Sequence, residues 1–468
     1  MAKPAAKPRT VGELRGSEYE SLPVKEEMRK NLIRKLRENQ PIFPGIVGYD
    51  DTVIPQVENA ILSGQDIIFL GERGQAKTRL ARSLINLLDE EIPVIKGSET
   101  NDDPYSPISA QGRQLLAEHQ DLTEIEWMHR DDRYGEKLAT PDITIADLIG
   151  DVDPIKVAEG RYLSDELTIH YGLLPRTNRG IFCINELPDL AERVQVGLLN
   201  VLEERDVQIR GYKIRLPLDV YLVASANPED YTNRGRIITP LKDRAGSQIR
   251  THYPTTIDQE IDIMEQEKLS FNTPGYEVEV PHYMKEIIAE VTHLARRHPD
   301  ISQRSGVSVR VSISNYENLM SNALKRAIKL NEHRVVPRVS DLHALVSSTA
   351  GKIELESVGD VKEEKLVEKL VQGAVVAAWN RRFSVSDFDD VVTRFHNGLT
   401  MDVADTLPSM EYVHQASELK GMRGALTKLE TEGNPAAVAA AVEFVLEGLH
   451  LNRRLNKDKS AGGVRYRR

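Results

Sequence analysis

Between residues 41 and 255, short apolar runs of strand type alternate with stretches of helical periodicity. The runs are Asp66–Leu70, Ile92–Ile95, Ile181–Ile184, Val220–Ala224 and Ser247–Tyr253. Alternation of this kind predicts the α/β class, a mostly parallel sheet covered by helices on both faces. Between the second and third runs lie residues 97–178, rich in Asp, Pro and Gly, with helical pieces near Gly112–His119 and Thr144–Ile149. A connection that long carries function or its own secondary structure. Val207–Leu216 reads as a hairpin turning at Gly211-Tyr212. After Pro254 the strand signals fade, and Tyr283–Arg297, Ile313–Leu330, Val339–Ala350, Leu366–Trp379 and Ala436–Leu451 carry helical patterns. The expected division is an N-terminal extension at 1–40 with one helix at Val24–Glu38, an α/β domain at 41–255, a helical lid at 256–355 and a C-terminal helical region with a basic tail at 356–468.

Composition narrows the class. The chain has 468 residues, 40% hydrophobic, 28% charged and only 5% aromatic, which suits a helix-rich globular protein of several structural units. No apolar run approaches the roughly 20 residues of a membrane-spanning helix, and no apolar stretch follows the basic residues of Met1–Thr10. The expectation is a cytoplasmic protein that does not engage a membrane. A net charge of −11 argues against nucleic acid as the main partner, because neutralising phosphates needs a concentrated basic surface. Basic residues do gather at the end, in Arg453, Arg454, Lys457, Lys459, Arg465, Arg467 and Arg468, which read as a solvated disordered terminus or as a contact for an acidic partner. The single cysteine, Cys183, sits in an apolar run and reads as a buried strand thiol. The 12 histidines are scattered, and no His-Glu-x-x-His run marks a transported-metal or porphyrin site.

The chemistry begins where the first run meets Gly71-Glu72-Arg73-Gly74-Gln75-Ala76-Lys77-Thr78, followed by a helical stretch, Arg79–Leu88. A strand, a glycine turn, Lys-Thr and a helix form a phosphate cradle. Backbone N–H groups of Gly71, Gly74, Gln75 and Ala76 face phosphate oxygens, Lys77 reaches the terminal phosphates, and the Thr78 hydroxyl holds Mg²⁺. Ala76 stands where glycine is usual; it either keeps an ordinary backbone or tightens the loop. The third run ends at Asn185-Glu186, at the carboxyl edge where such sheets place ligand chemistry. Position 185 is ordinarily an aspartate helping to hold Mg²⁺. Asn185 offers an amide oxygen without charge, while Glu186 keeps the place of a general base. The fourth run ends at Asn227-Pro228, where Asn227 is placed to meet the γ-phosphate or the attacking water.

These segments together resemble an AAA+ ATPase, and more narrowly the magnesium chelatase I subunit and MoxR-like branch, over roughly Phe43 to Leu345. Phe43-Pro44-Gly45-Ile46-Val47-Gly48 is similar to the family's adenine-approaching segment, so Val47 and Gly48 are candidate nucleotide contacts. The Ala-Lys loop resembles the MoxR version, and Gly172-Leu173-Leu174-Pro175-Arg176-Thr177-Asn178-Arg179-Gly180 a characteristic chelatase run. Asn227 resembles the sensor 1 asparagine. Leu241-Lys242-Asp243-Arg244 resembles the run that supplies an arginine finger to a neighbouring subunit, with Lys242 and Ala245 departing from it. Val307-Ser308-Val309-Arg310 resembles the sensor 2 segment, which makes Arg310 a lid contact to the γ-phosphate. Val207–Leu216 looks like the pre-sensor hairpin and Ile155–Thr168 like the helix 2 insertion. The resemblance implies a parallel five-stranded sheet of order 5-1-4-3-2, a helical lid, hexameric or similar rings, ATP and Mg²⁺ as cofactors, and a partner carrying a von Willebrand A domain. The reading that follows is an ATPase motor, MoxR-like chaperone or chelatase-like, acting on a partner protein. The alternatives are a nucleotide-dependent assembly scaffold that hydrolyses slowly or not at all, and a nucleic-acid helicase.

Overall fold

The computed structural model describes residues 7–153, 155, 158, 166–203, 206–208, 215–227, 235–303, 305–356, 362–419, 421–431, 433–460 and 463–468. Most of the expected helix 2 insertion, the tip of the 207–216 hairpin and Pro228 lie outside them. The chain divides into two compact units, Met1–His252 and Tyr253–Arg468.

The first unit is built on β1 (Ile67–Leu70), β2 (Tyr134–Leu138), β3 (Gly180–Asn185), β4 (Val220–Ala226) and β5 (Ser247–Arg250), in the order β5-β1-β4-β3-β2. All four pairings are parallel. The architecture is therefore the α/β sheet of order 5-1-4-3-2. β3 and β4 are buried at every position, which is why they read as unbroken apolar runs. Alternate residues serve opposite layers. Phe182, Ile184, Leu222 and Ala224 pack with Leu198 and Val201 on one face, while Ile181, Cys183, Tyr221 and Val223 pack with Leu80 and Leu84 on the other.

The second strand was misplaced by the apolar pattern. Glu91–Ile95, containing the expected strand, pairs antiparallel with Ile125–His129 in a separate two-stranded sheet. The true neighbour of β3 is β2, which lies inside the long 97–178 connection. As the edge strand of the sheet, Tyr-Gly-Glu-Lys-Leu is only partly covered and carries no hydrophobic run. The hairpin does form among the described residues, Asp206–Gln208 pairing antiparallel with Arg215–Pro217.

Helix α1 (Val24–Arg37) places Val24, Met28 and Leu32 on one stripe against the same layer as β1. Its buried Glu27 accepts from Arg133 Nη1 at 2.8 Å and Nη2 at 2.5 Å, and Arg133, itself 1% exposed, also donates from Nε to the Arg179 carbonyl at 2.8 Å. Each buried charge is thus met, which such burial requires. Two further helices frame the site, α2 (Lys77–Ser83) after β1 and the short α3 (Thr239–Arg244) before β5.

The second unit packs α4 (His282–Ala295), α5 (Arg310–Leu330), α6 (Glu363–Asn380) and α7 (Pro435–Leu451) around one core. Tyr283 stacks on Phe444 at a centroid distance of 4.4 Å. Gly448 lets α7 approach Trp379, since a Cβ there would fall 2.0 Å from the indole Cδ1. The basic tail is ordered: Asn456–Ser460, Gly463–Arg467 and Met401–Val403 form a three-stranded antiparallel sheet. The reading of a disordered solvating terminus fails because Tyr466 is buried, Arg465 Nε and Nη2 meet Asp402 at 2.8 and 2.9 Å, and Lys457 meets Glu447 at 2.7 Å. Among the described residues no helix is long and apolar enough to cross a membrane.

Candidate functional site

The loop from Gly71 to Thr78 joins the carboxyl end of β1 to the start of α2. Ala76 caps α2 in the left-handed region, φ 54° and ψ 18°, so the ordinary-backbone option is excluded. An L-residue there costs about 1–2 kcal/mol. The loop is pinned from within by Gln75, whose Oε1 accepts from the Glu72 N–H at 3.0 Å and the Thr251 hydroxyl at 2.8 Å. A Cβ on Gly71 would lie 1.9 Å from Thr251 Oγ1 and 2.3 Å from Gln75 Oε1, so only glycine fits beneath that lock. The Tyr49 hydroxyl sits between the carbonyls of Gln75 (2.9 Å) and His252 (2.8 Å), and burial pushes its pKa up to about 12. Tyr49 thereby fastens the half-buried Val47 and Gly48, with Gly48 at φ 78°, to the loop and to the end of β5.

The ends of β1, β3 and β4 converge on one polar chain. Lys77 Nζ donates to the carbonyls of Gly71 and Glu72 and, at 2.6 Å, to Asn227 Oδ1. The same Asn227 donates through Nδ2 to Glu186 Oε2 at 2.8 Å. One amide therefore bridges the cation of the loop and the carboxylate beyond β3. Glu186 is itself left-handed, φ 56° and ψ 48°, with its N–H on Ser225 Oγ at 3.2 Å. This turn aims its side chain back across the strand ends.

A second chain runs through Asn185. Its Oδ1 accepts from Thr78 Oγ1 at 3.4 Å and Ser225 Oγ at 3.2 Å, and its Nδ2 donates to Glu136 Oε1 at 2.6 Å. Glu136 in turn takes two bonds from Arg82 of α2, Nε at 2.7 Å and Nη2 at 3.0 Å. Glu136, Tyr49 and Ser225 were not singled out from sequence. The only cue to Glu136 was a carboxylate within a long polar connection, which nothing local tied to Asn185. Cys183 is buried, and desolvation pushes its thiol up to about 12, which leaves it protonated and inert near neutral pH.

Lys77, Thr78, Asn185, Glu186 and Asn227 are thus brought together. Arg244 ends α3 exposed, its Nη1 3.4 Å from the Pro240 carbonyl, and Arg310 begins α5, exposed, in the second unit. The donor set between Thr78 and Asn185 suits Mg²⁺, which takes hydroxyl, amide and water oxygens and shuns sulfur. The buried Lys77 ammonium and the surrounding loop amides suit an anion.

A family model for the sigma-54 interaction domain matches residues 159–241. Magnesium-chelatase subunit ChlI of Nephroselmis olivacea is 25% identical over 366 residues, 71% of this chain and 96% of that protein. The ChlI of Mesostigma viride is 25% identical over 318 residues, 65% of this chain and 83% of that protein. Among solved structures, a chain from the complex between subunits BchI and BchD of magnesium chelatase is 19% identical, with a TM-score of 0.37 over 72% of this chain and 96% of that one.

Proposed function

From a chain that is an AAA+ ATPase related to the magnesium chelatase I subunits, we infer a ring-forming motor that spends ATP to remodel or activate a partner protein. The observation that carries this reading is the Asn227 bridge. It couples the lysine of the phosphate loop at 2.6 Å to the carboxylate of Glu186 at 2.8 Å, so phosphate binding and water activation share one hydrogen-bond chain. In this reading the loop amides and Lys77 hold the β- and γ-phosphates of ATP, while Val47 and Gly48 lie toward the adenine. Thr78 and Asn185 would hold Mg²⁺, which would supply positive charge against the phosphates. Glu186 orients and deprotonates the attacking water, and Asn227 fixes both ends of that geometry. Arg244 serves the site of the next subunit in a ring, hexameric or similar. The partner is a protein with a von Willebrand A domain; any metal insertion into a porphyrin belongs to that partner or another subunit.

Replacing Glu186 by Gln is expected to leave ATP affinity within about twofold and to lower steady-state phosphate release by about 10²-fold or more. An unchanged rate would remove the motor reading. A second reading, a slow or inactive nucleotide-dependent scaffold, is favoured by Asn185, which brings no charge to the metal. Phosphate release by the wild-type chain indistinguishable from a protein-free control at saturating Mg-ATP would establish it. The helicase reading is disfavoured by the net charge of −11, and an ATPase rate indifferent to single-stranded and duplex DNA at low salt would eliminate it.

A further inference from the structure

The metal side of the site lacks an anion where one is expected. Asn185 offers Mg²⁺ only a neutral oxygen, yet a hard dication in a phosphate site is ordinarily met by a carboxylate. The adjoining edge strand supplies one. Glu136 on β2 lies 2.6 Å from Asn185 Nδ2, and because a carboxylate only accepts, this contact fixes which way the amide faces. Nδ2 must point to Glu136, leaving Oδ1 to face the Thr78 and Ser225 hydroxyls at 3.4 and 3.2 Å. One amide group separates Glu136 from the place where Thr78 and Asn185 converge.

The counter-cation of Glu136 is loosely held. Arg82 makes the two-pronged contact from α2, but its side chain is 62% exposed against 22% for Glu136. Arg82 is the solvent-facing member of the pair, so water can take its place on the guanidinium when it turns away from Glu136. Arg82 also stands on the helix that begins with Lys77 and Thr78, so one short element carries both ends of the exchange.

We propose that Glu136 supplies the negative charge of the magnesium site, acting from the outer sphere beside Asn185, and that Arg82 is the cation it gives up when Mg²⁺ binds. This rests on the reading of the loop as a Mg-nucleotide site. Glu136 orients Asn185 Oδ1 and supplies the charge that Asn185 lacks, which makes it a positioning residue. A plain surface ion pair would merely fasten α2 to the sheet edge.

The two roles separate by sign. Full-length protein saturated with ADP is titrated with Mn²⁺, free metal being read by electron paramagnetic resonance, and ADP affinity is measured separately in chelator. Glu136→Gln is expected to weaken Mn²⁺ binding about tenfold, the effect usual for an outer-shell partner, while metal-free ADP affinity stays unchanged. Arg82→Ala is expected to tighten Mn²⁺ binding severalfold, because it frees the carboxylate. Adding Asn185→Asp to Glu136→Gln is expected to restore wild-type Mn²⁺ affinity, by moving the charge to the strand end. Unchanged Mn²⁺ affinity in Glu136→Gln, or a weakening in both single variants, overturns the proposal and leaves the pair structural. Wild-type protein that binds no ADP in chelator or with metal takes down the nucleotide reading itself.

Discussion

Ala76 and Glu186 both hold left-handed backbone at the candidate site, at φ 54° and φ 56°. Strain at such positions persists only where the surroundings over-determine it, and here the Gln75 lock and the Ser225 contact do so. For Ala76 the penalty of about 1–2 kcal/mol exceeds the roughly 0.4–1 kcal/mol by which glycine would loosen the unfolded chain. Ala76→Gly should therefore stabilise the nucleotide-free protein by up to about 1.6 kcal/mol, read as a higher urea midpoint at unchanged slope. A lower midpoint would mean that the alanine methyl makes a packing contact worth more than the strain. At this scale Lys77, Thr78, Glu186 and Asn227 were visible in sequence because their spacing from strand ends states a chemistry. Glu136 and Tyr49 were not, since the first meets Asn185 across 49 positions and the second meets Gln75 across 26. Contacts of that span leave no periodic trace.

At the scale of elements, the strands buried on both faces were the plainest to read. The fully covered strands β3 and β4 and the Ala-rich helix α7 stood out as apolar runs, whereas the half-covered edge strand β2 did not, and Glu91–Ile95 took its place in the reading. Buried polar groups on an apolar helix are the other thing a pattern hides. On α7, Glu443 is fully buried, accepting from the Tyr412 hydroxyl at 2.6 Å and the Ser340 N–H at 2.8 Å. Burial raises its pKa above the ordinary glutamate range, the Arg338 charge opposing this only in part. The folded state thus holds this proton more tightly than the unfolded chain does. Its contribution to stability is full below the unfolded pKa and is lost as pH rises through the folded value. Glu443→Gln removes that dependence. The stability of the variant relative to wild type should improve in urea melts as pH rises above the ordinary glutamate range, and a difference that stays flat there would show that Glu443 titrates as it does in the unfolded chain.

For the whole molecule, the question is where a transition-state cation comes from. Within the first unit, the described contacts give the phosphate chain the buried ammonium of Lys77, while Arg82 of α2 faces Glu136 rather than the loop. Developing charge on a transferred phosphoryl group calls for a further fixed cation, and arginine fingers supply factors of about 10³–10⁵ in such reactions. Arg244, exposed at the end of α3, is the candidate, and exposure there suits a residue that serves a neighbour. If it does, Arg244→Ala should abolish hydrolysis while nucleotide binding survives, and Lys77→Ala should abolish both. Neither variant is active alone, yet a mixed ring contains interfaces where an intact Lys77 faces an intact Arg244 from the next chain. Random mixing of equal amounts makes roughly a quarter of interfaces of this kind in a cyclic head-to-tail assembly. Phosphate release should accordingly return to about that fraction of the wild-type rate, and should fall again when the mixture is diluted below the assembly concentration. A mixture as inactive as its components would place Arg244 on its own subunit's site or outside the reaction, and the case for a ring built around shared sites would fall with it.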